Sequence, residues 1–336
     1  MYSYTRFALL FDGGFCPRFK KSDQLLKYNY CRKYFPEDCE LISISSSAGI
    51  IGTSFELTNN NSKLISIETQ SHISSVAGIS FALFPQLPGV EFYMFDSKDP
   101  LNNLQSRNDL KCILVFSTSC CQNSTGDYIR YSHLERLLMK YDEKIALGGV
   151  IVDDVSFYPL PNTKTSFKRN RDMLGIAISG PRVQACSLIL KTEKPKDTEA
   201  KLVQFKSNLS FDDSDPTTQT IAFIFICTGR GFAVYNQPNV EANLFNKVFP
   251  QVKLFGVFGQ GEFGHDYWPS YDIESRKAKR KLKKIRNRNS QKLESSSSSS
   301  STESAESQTD SINKETDYKL WHFYSTVIVM INFPRK

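Results

Sequence analysis

Apolar residues in this chain come in short runs of strand length, and that pattern limits the fold more than any other feature. Leu41–Ser45, Val76–Phe84, Cys112–Thr118, Ile145–Val152, Leu174–Ser179, Ala185–Leu190, Ile221–Cys227, Val252–Phe258 and Trp321–Phe333 all read as strands. Several are apolar almost without a break, as expected of strands covered on both faces. Two segments carry helical spacing instead. In Asp127–Tyr141 the apolar residues fall at Tyr131, Leu134, Leu137, Leu138 and Tyr141. In Val240–Phe249 they fall at Val240, Leu244, Phe245 and Val248, with Asn239 as the N-cap and Pro250 as the stop. Many strands and few helices predict an α/β or α+β fold of mixed β-sheet packed with helices.

The chain has 336 residues and a net charge of +7, but the charge is local. Nine of its 42 basic residues lie between Arg276 and Arg288, which leaves 33 against 35 acidic residues elsewhere. A nucleic-acid-binding face on the folded part is therefore not expected. Within that block Arg276, Lys277, Lys279, Arg280, Lys281, Lys283 and Lys284 are candidates for a nuclear-import signal. Seven serines follow at Ser295–Ser301, then a Ser/Thr/Glu tract to Asp317. Residues 270–317 lack apolar periodicity and are expected to be disordered, because they cannot bury enough apolar surface to offset chain entropy. Distribution between nucleus and cytoplasm is the expectation.

Eight cysteines are present, with no secretory leader pattern before them, so free thiols in a reducing compartment are expected. The last apolar run, Thr326–Phe333, is too short for a membrane helix, and no membrane association is expected. Metal-site spacing is absent: the histidines at 72, 133, 265 and 322 are scattered, and no Cys-x-x-Cys occurs. Neither a metal nor another cofactor is expected.

The stretch Phe255–Gly264 (FGVFGQGEFG) places Glu262 among four glycines and beside Phe263. Glycine at that density marks a tight turn or a close approach. Glu262 can cap a helix, bind a small amine or pair with Arg230, or it can be a turn carboxylate satisfied by backbone amides. Gly229-Arg230-Gly231 follows a strand, but the third glycine of a dinucleotide site is missing. Cys227 beside Arg230, and Cys120 and Cys121 past another strand, are candidate reactive thiols. A catalytic cysteine would need a positioned histidine such as His265; the alternative is a small buried hydrophobe. No complete catalytic set is present. Cys227, Arg230, Phe232, Glu262 and Phe263 remain candidates for substrate or ligand contact.

Several blocks together resemble the FIST C-terminal domain and the F-box proteins that carry it. They are Phe255–Gly264, Cys227–Phe232, the Asn239–Phe245 segment with Phe249-Pro250, and Tyr318–Asn332. Upstream, Phe81–Pro85, Lys98–Pro100, Leu114–Phe116 with Cys120-Cys121, Ala146–Gly149 and Leu174–Arg182 follow in the same order. The similarity runs from about Cys39 to the C-terminus. It implies two FIST-type halves, 39–192 and 193–336, the second interrupted by the insertion. It also implies a non-catalytic substrate receptor of an SCF (cullin-RING) ubiquitin ligase, with protein substrates on the FIST region and the Skp1 adaptor on an F-box. Residues 1–38 show no Leu- and Pro-rich helical pattern of an F-box, so the Skp1 and cullin partners are conditional on one. Bacterial FIST domains supply the alternative, a small-ligand sensory module.

Overall fold

Strand after strand in this chain is buried on both faces, and three mixed sheets share one core. The structure, a computed structural model, describes residues 5–13, 33, 35–36, 39–58, 61–70, 78–96, 109–118, 141, 144–158, 173–268 and 320–335. They belong to one compact unit, Met1–Pro269 with Leu320–Lys336.

The first sheet is ordered β5 (Gly78–Pro85), β1 (Thr5–Gly13), β2 (Glu40–Ser46), β9 (Asp154–Tyr158). The second is ordered β15 (Trp321–His322), β14 (Glu262–Gly264), β8 (Ala146–Val152), β7 (Leu110–Thr118), β10 (Met173–Ser179), β6 (Glu91–Asp96). The third is ordered β11 (Gln184–Leu190), β16 (Thr326–Pro334), β12 (Thr218–Cys227), β13 (Lys253–Gly259), β3 (Gly49–Thr58), β4 (Asn61–Gln70). Strands from both sides of residue 192 therefore mix in the second and third sheets. Three helices are described: α1 (Pro195–Ser207), the single turn α2 (Phe232–Tyr235) and α3 (Val240–Val248). The fold is thus richer in sheet than an even α/β mixture.

Phenylalanine fills the space where the sheets converge. Phe11 of β1 lies 6.2 Å, centroid to centroid, from both Phe116 of β7 and Phe223 of β12. Phe116 meets Phe225 edge-on at 5.8 Å. Rings of this size bury much apolar area and favour such tilted contacts. The apolar runs at β8, β10, β12, β13 and β16 are covered on both faces, as their composition predicts. The Trp321–Phe333 run is not one strand. It breaks at residues 323–325 into β15 and β16, which belong to different sheets.

Helix α3 forms where its spacing predicts, but it is turned and capped differently. Its buried residues are Glu241, Ala242 and Phe245, so the inward face includes a carboxylate. Asn239 has a left-handed backbone and makes no side-chain cap. Its Oδ1 instead accepts the Glu68 amide of β4 at 2.6 Å. Glu68 Oε1 takes over as the cap, accepting the Ala242 N–H at 2.7 Å from outside the helix. Helix α1 begins at Pro195, the position that tolerates a missing N–H, and buries only Thr198, Leu202 and Phe205. The expected helix Asp127–Tyr141, apart from Tyr141 itself, and the insertion 270–317 lie outside the described residues.

Candidate functional site: a double sheet crossing at Cys227 and Glu262

Strands β12 and β13 are parallel, and the Cys227↔Gly259 pair closes their register. Just beyond, the chain changes sheet twice. Residues 259–261 carry it from β13 into β14, and residues 323–325 carry it from β15 into β16. The two crossings adjoin, because Glu262 pairs with His322.

Glycine makes the first crossing possible. A Cβ on Gly259 would lie 2.1 Å from Val150 Cγ2 and 2.4 Å from the Ile151 carbonyl oxygen. Gly261 has φ +151°, and a Cβ there would meet Trp321 Nε1 at 2.5 Å. The bend is fixed by two 2.9 Å bonds: Gln260 N–H donates to the Ile151 carbonyl, and Ile151 N–H to the Gly261 carbonyl. The glycine-rich run is therefore a passage between sheets at close packing.

Glu262 follows that passage and is fully buried. Its Oε2 accepts the Ser325 hydroxyl at 2.8 Å, while Oε1 has no hydrogen-bond donor in range. Burial pushes this carboxyl up to about 8, although the Ser325 hydroxyl and amide, the Cys227 thiol and the Arg230 charge all favour its ionised form. The same burial raises the Cys227 thiol, and the neighbouring Glu262 charge raises it further. The Gly229 and Tyr324 amides act against this by favouring the thiolate. The result is a protonated acid beside a protonated thiol near neutral pH.

Arg230 does not pair with Glu262. Its Nη2 and Nε reach Glu241 Oε1 of α3 at 2.6 and 2.9 Å, and both side chains are buried. Nη2 also donates to the Thr192 carbonyl and the Tyr235 hydroxyl, both at 2.8 Å, and Nη1 to the Tyr324 carbonyl at 3.2 Å. Tyr235 and Thr326 complete the shell of Glu241 at 2.9 and 2.6 Å. A guanidinium tolerates burial when its donors are spent in this way. Arg230 thus ties β12, α2, α3 and the second crossing together. Glu68 of β4 stands behind this cluster; burial first, and the Glu241 charge after it, raise its carboxyl to about 7.

Of the sequence candidates, Cys227, Arg230 and Glu262 are brought together, and Phe232 begins α2 nearby, half-buried, with its amide on Gln70 Oε1 at 2.9 Å. Phe263 points into the core and is fully buried. Glu262 is satisfied by Ser325, not by glycine amides. His265 is engaged elsewhere, its Nε2 on the Ile145 carbonyl at 2.6 Å. Cys120, Cys121 and the seven basic residues from Arg276 to Lys284 lie outside the described residues. Glu241, Glu68 and Ser325 were not anticipated. Glu241 was visible only as a residue four before Phe245, on the same helix face. Among the described residues no group of His, Cys, Asp and Glu could hold a metal ion. None of the described helices is long and apolar enough to cross a membrane.

Comparison with curated proteins shows what the chain is similar to. The chain is similar to F-box only protein 22. It is 32% identical to F-box only protein 22 of Homo sapiens over 255 residues, 70% of this chain and 57% of that protein. With F-box only protein 22 of Pongo abelii it shares 31% over 253 residues, again 70% and 57%. The chain thus spans a little over half the length of the F-box only protein 22 relatives it matches. No protein-family model matches the chain.

Proposed function

We propose that this chain is a substrate receptor of an SCF (cullin-RING) ubiquitin ligase, recruiting proteins for ubiquitin-dependent proteasomal degradation without doing chemistry itself. The observation that carries this reading is the similarity to F-box only protein 22 over 70% of the chain. A receptor of this kind works by proximity, raising the effective concentration of a substrate lysine near the charged conjugating enzyme. The double crossing fits a rigid binding platform. Its thiol is held protonated by burial, and its guanidinium is consumed by an internal carboxylate. In this reading the basic residues 276–284 act as an import signal for a protein shared between nucleus and cytoplasm, and deleting 270–317 shifts a fluorescent fusion to the cytoplasm.

The decisive experiment is purification of the full-length protein from cells, followed by probing for Skp1 and a cullin. Recovery of both supports the reading, and absence of both removes it. One observation favours a second reading, a FIST-type small-ligand sensor: Glu262 is a fully buried carboxyl beside Cys227. A metabolite screen by thermal shift separates the two, since a ligand bound to the folded state raises Tm.

A further inference from the structure

A cleft of about 230 Å³ opens where β5 ends beside the first residues of β12 and the last of β16. It is lined by Leu83, Leu87 and Ile221 and by Phe84 and Phe333, whose rings meet edge-on at 6.1 Å. The volume falls below the roughly 300–1,000 Å³ of drug-sized ligand sites and suits one large apolar side chain.

Two further features adjoin it. The rim carries Gln219 and Arg335, both exposed. Arg335 is anchored by its amide on the Thr217 carbonyl at 2.8 Å and by Nη1 on the Pro216 carbonyl at 3.1 Å. No carboxylate among the described residues pairs with it. Asp215, next to the Pro216 and Thr217 carbonyls that anchor Arg335, is occupied in its own turn by the Thr217 amide and hydroxyl at 2.7 Å each. From the cleft, an apolar row runs along one face of β5: Leu83, Phe81 and Ile79 are 45%, 52% and 55% exposed. This row is about 13 Å long at the usual strand rise. Leu83 belongs to both surfaces.

We propose that this cleft captures the C-terminus of another protein, with the last apolar side chain against Leu83 and Leu87 and the terminal carboxylate on Arg335. The preceding apolar residues lie along Leu83, Phe81 and Ile79. An anchored guanidinium with free N–H groups beside an apolar slot is the charge pattern such an end requires, since a carboxylate pairs with a guanidinium fork. The biological meaning rests on the recruitment reading, for which this names the substrate feature.

The test is fluorescence polarisation on the purified full chain with a labelled apolar octapeptide. Three probes are compared: the free-acid peptide, its C-terminal amide, and decanoate as competitor. The acid is expected to bind at least tenfold tighter than the amide, a gap of about 1.4 kcal/mol. Arg335→Ala closes that gap, Arg335→Lys keeps part of it, and Leu83→Asp weakens both peptides. Circular dichroism melts confirm that the variants fold. Equal binding of acid and amide, or no saturable binding of either, overturns the proposal. Decanoate competing as well as the peptide also overturns it, by assigning the cleft to free fatty acids. The assay needs no ligase, so its failure leaves Skp1 recovery untouched, and loss of Skp1 recovery leaves the cleft untouched.

Discussion

The Ser325 hydroxyl donates to Glu262 at 2.8 Å, and this bond joins two of the places where the chain passes from one sheet to another. Ser325 sits between β15 and β16, and Glu262 opens β14 just past the glycine turn. Each crossing buries polar backbone, and the pair of side chains satisfies part of it.

Stability falls as pH rises from about 5 to about 8. Glu68 and Glu262 have folded pKa values of about 7 and about 8, above the free value of 4.5, chiefly through burial. The folded chain binds these protons more tightly than the unfolded chain. Their contribution is therefore full below 4.5 and lost as pH passes through the raised values. Each group contributes a slope on the order of 1 kcal/mol per pH unit within its window. Urea midpoints at pH 5.5, 7 and 8.5 measure it. Glu68→Gln and Glu262→Gln should each flatten the profile; an unchanged slope in both variants would refute this account.

Arg230 and Glu241 stand or fall together. Arg230→Met leaves a buried carboxylate unpaired and costs about 3–5 kcal/mol. Adding Glu241→Leu restores part of that loss, because an apolar pair needs no mutual compensation. Urea denaturation of the two single variants and the double closes the cycle. Simple additivity would show that the pair is not coupled.

Gly259→Ala is expected to cost about 2 kcal/mol or more, since its Cβ would meet Val150 and the Ile151 carbonyl inside closed packing. Gly89→Ala is the contrast. It has φ +73° with nothing within 4 Å, so only backbone strain of about 1 kcal/mol arises. Thermal melts rank the two, and a milder effect at Gly259 would contradict the close packing.

Cys227 should alkylate more slowly than a free thiol at neutral pH, because burial and then Glu262 disfavour its thiolate. Above about pH 8, where Glu262 ionises, Glu262→Gln removes its charge and speeds the reaction. Iodoacetamide labelling followed by mass spectrometry reads both rates. Faster labelling of the native chain than of a model thiol would reverse the assignment.

Some of this architecture was readable from residues alone. Runs such as Ile221–Cys227 and Val252–Phe258 declare themselves as doubly covered strands, because burial on both faces demands unbroken apolar sequence. Strands with polar positions escaped: β4 and β6 lie at sheet edges, where one side is left unpaired and composition carries little signal. The glycine run at 255–264 announced a close approach, but not what was approached. That Glu262 meets Ser325 across 63 positions, and Arg230 meets Glu241 rather than Glu262, is a matter of tertiary packing. Local sequence encodes periodicity, which is a property of neighbours along the chain. The partner of a buried charge is chosen by sheet order and helix rotation, which arise only when distant segments pack and every desolvated polar group must find its match.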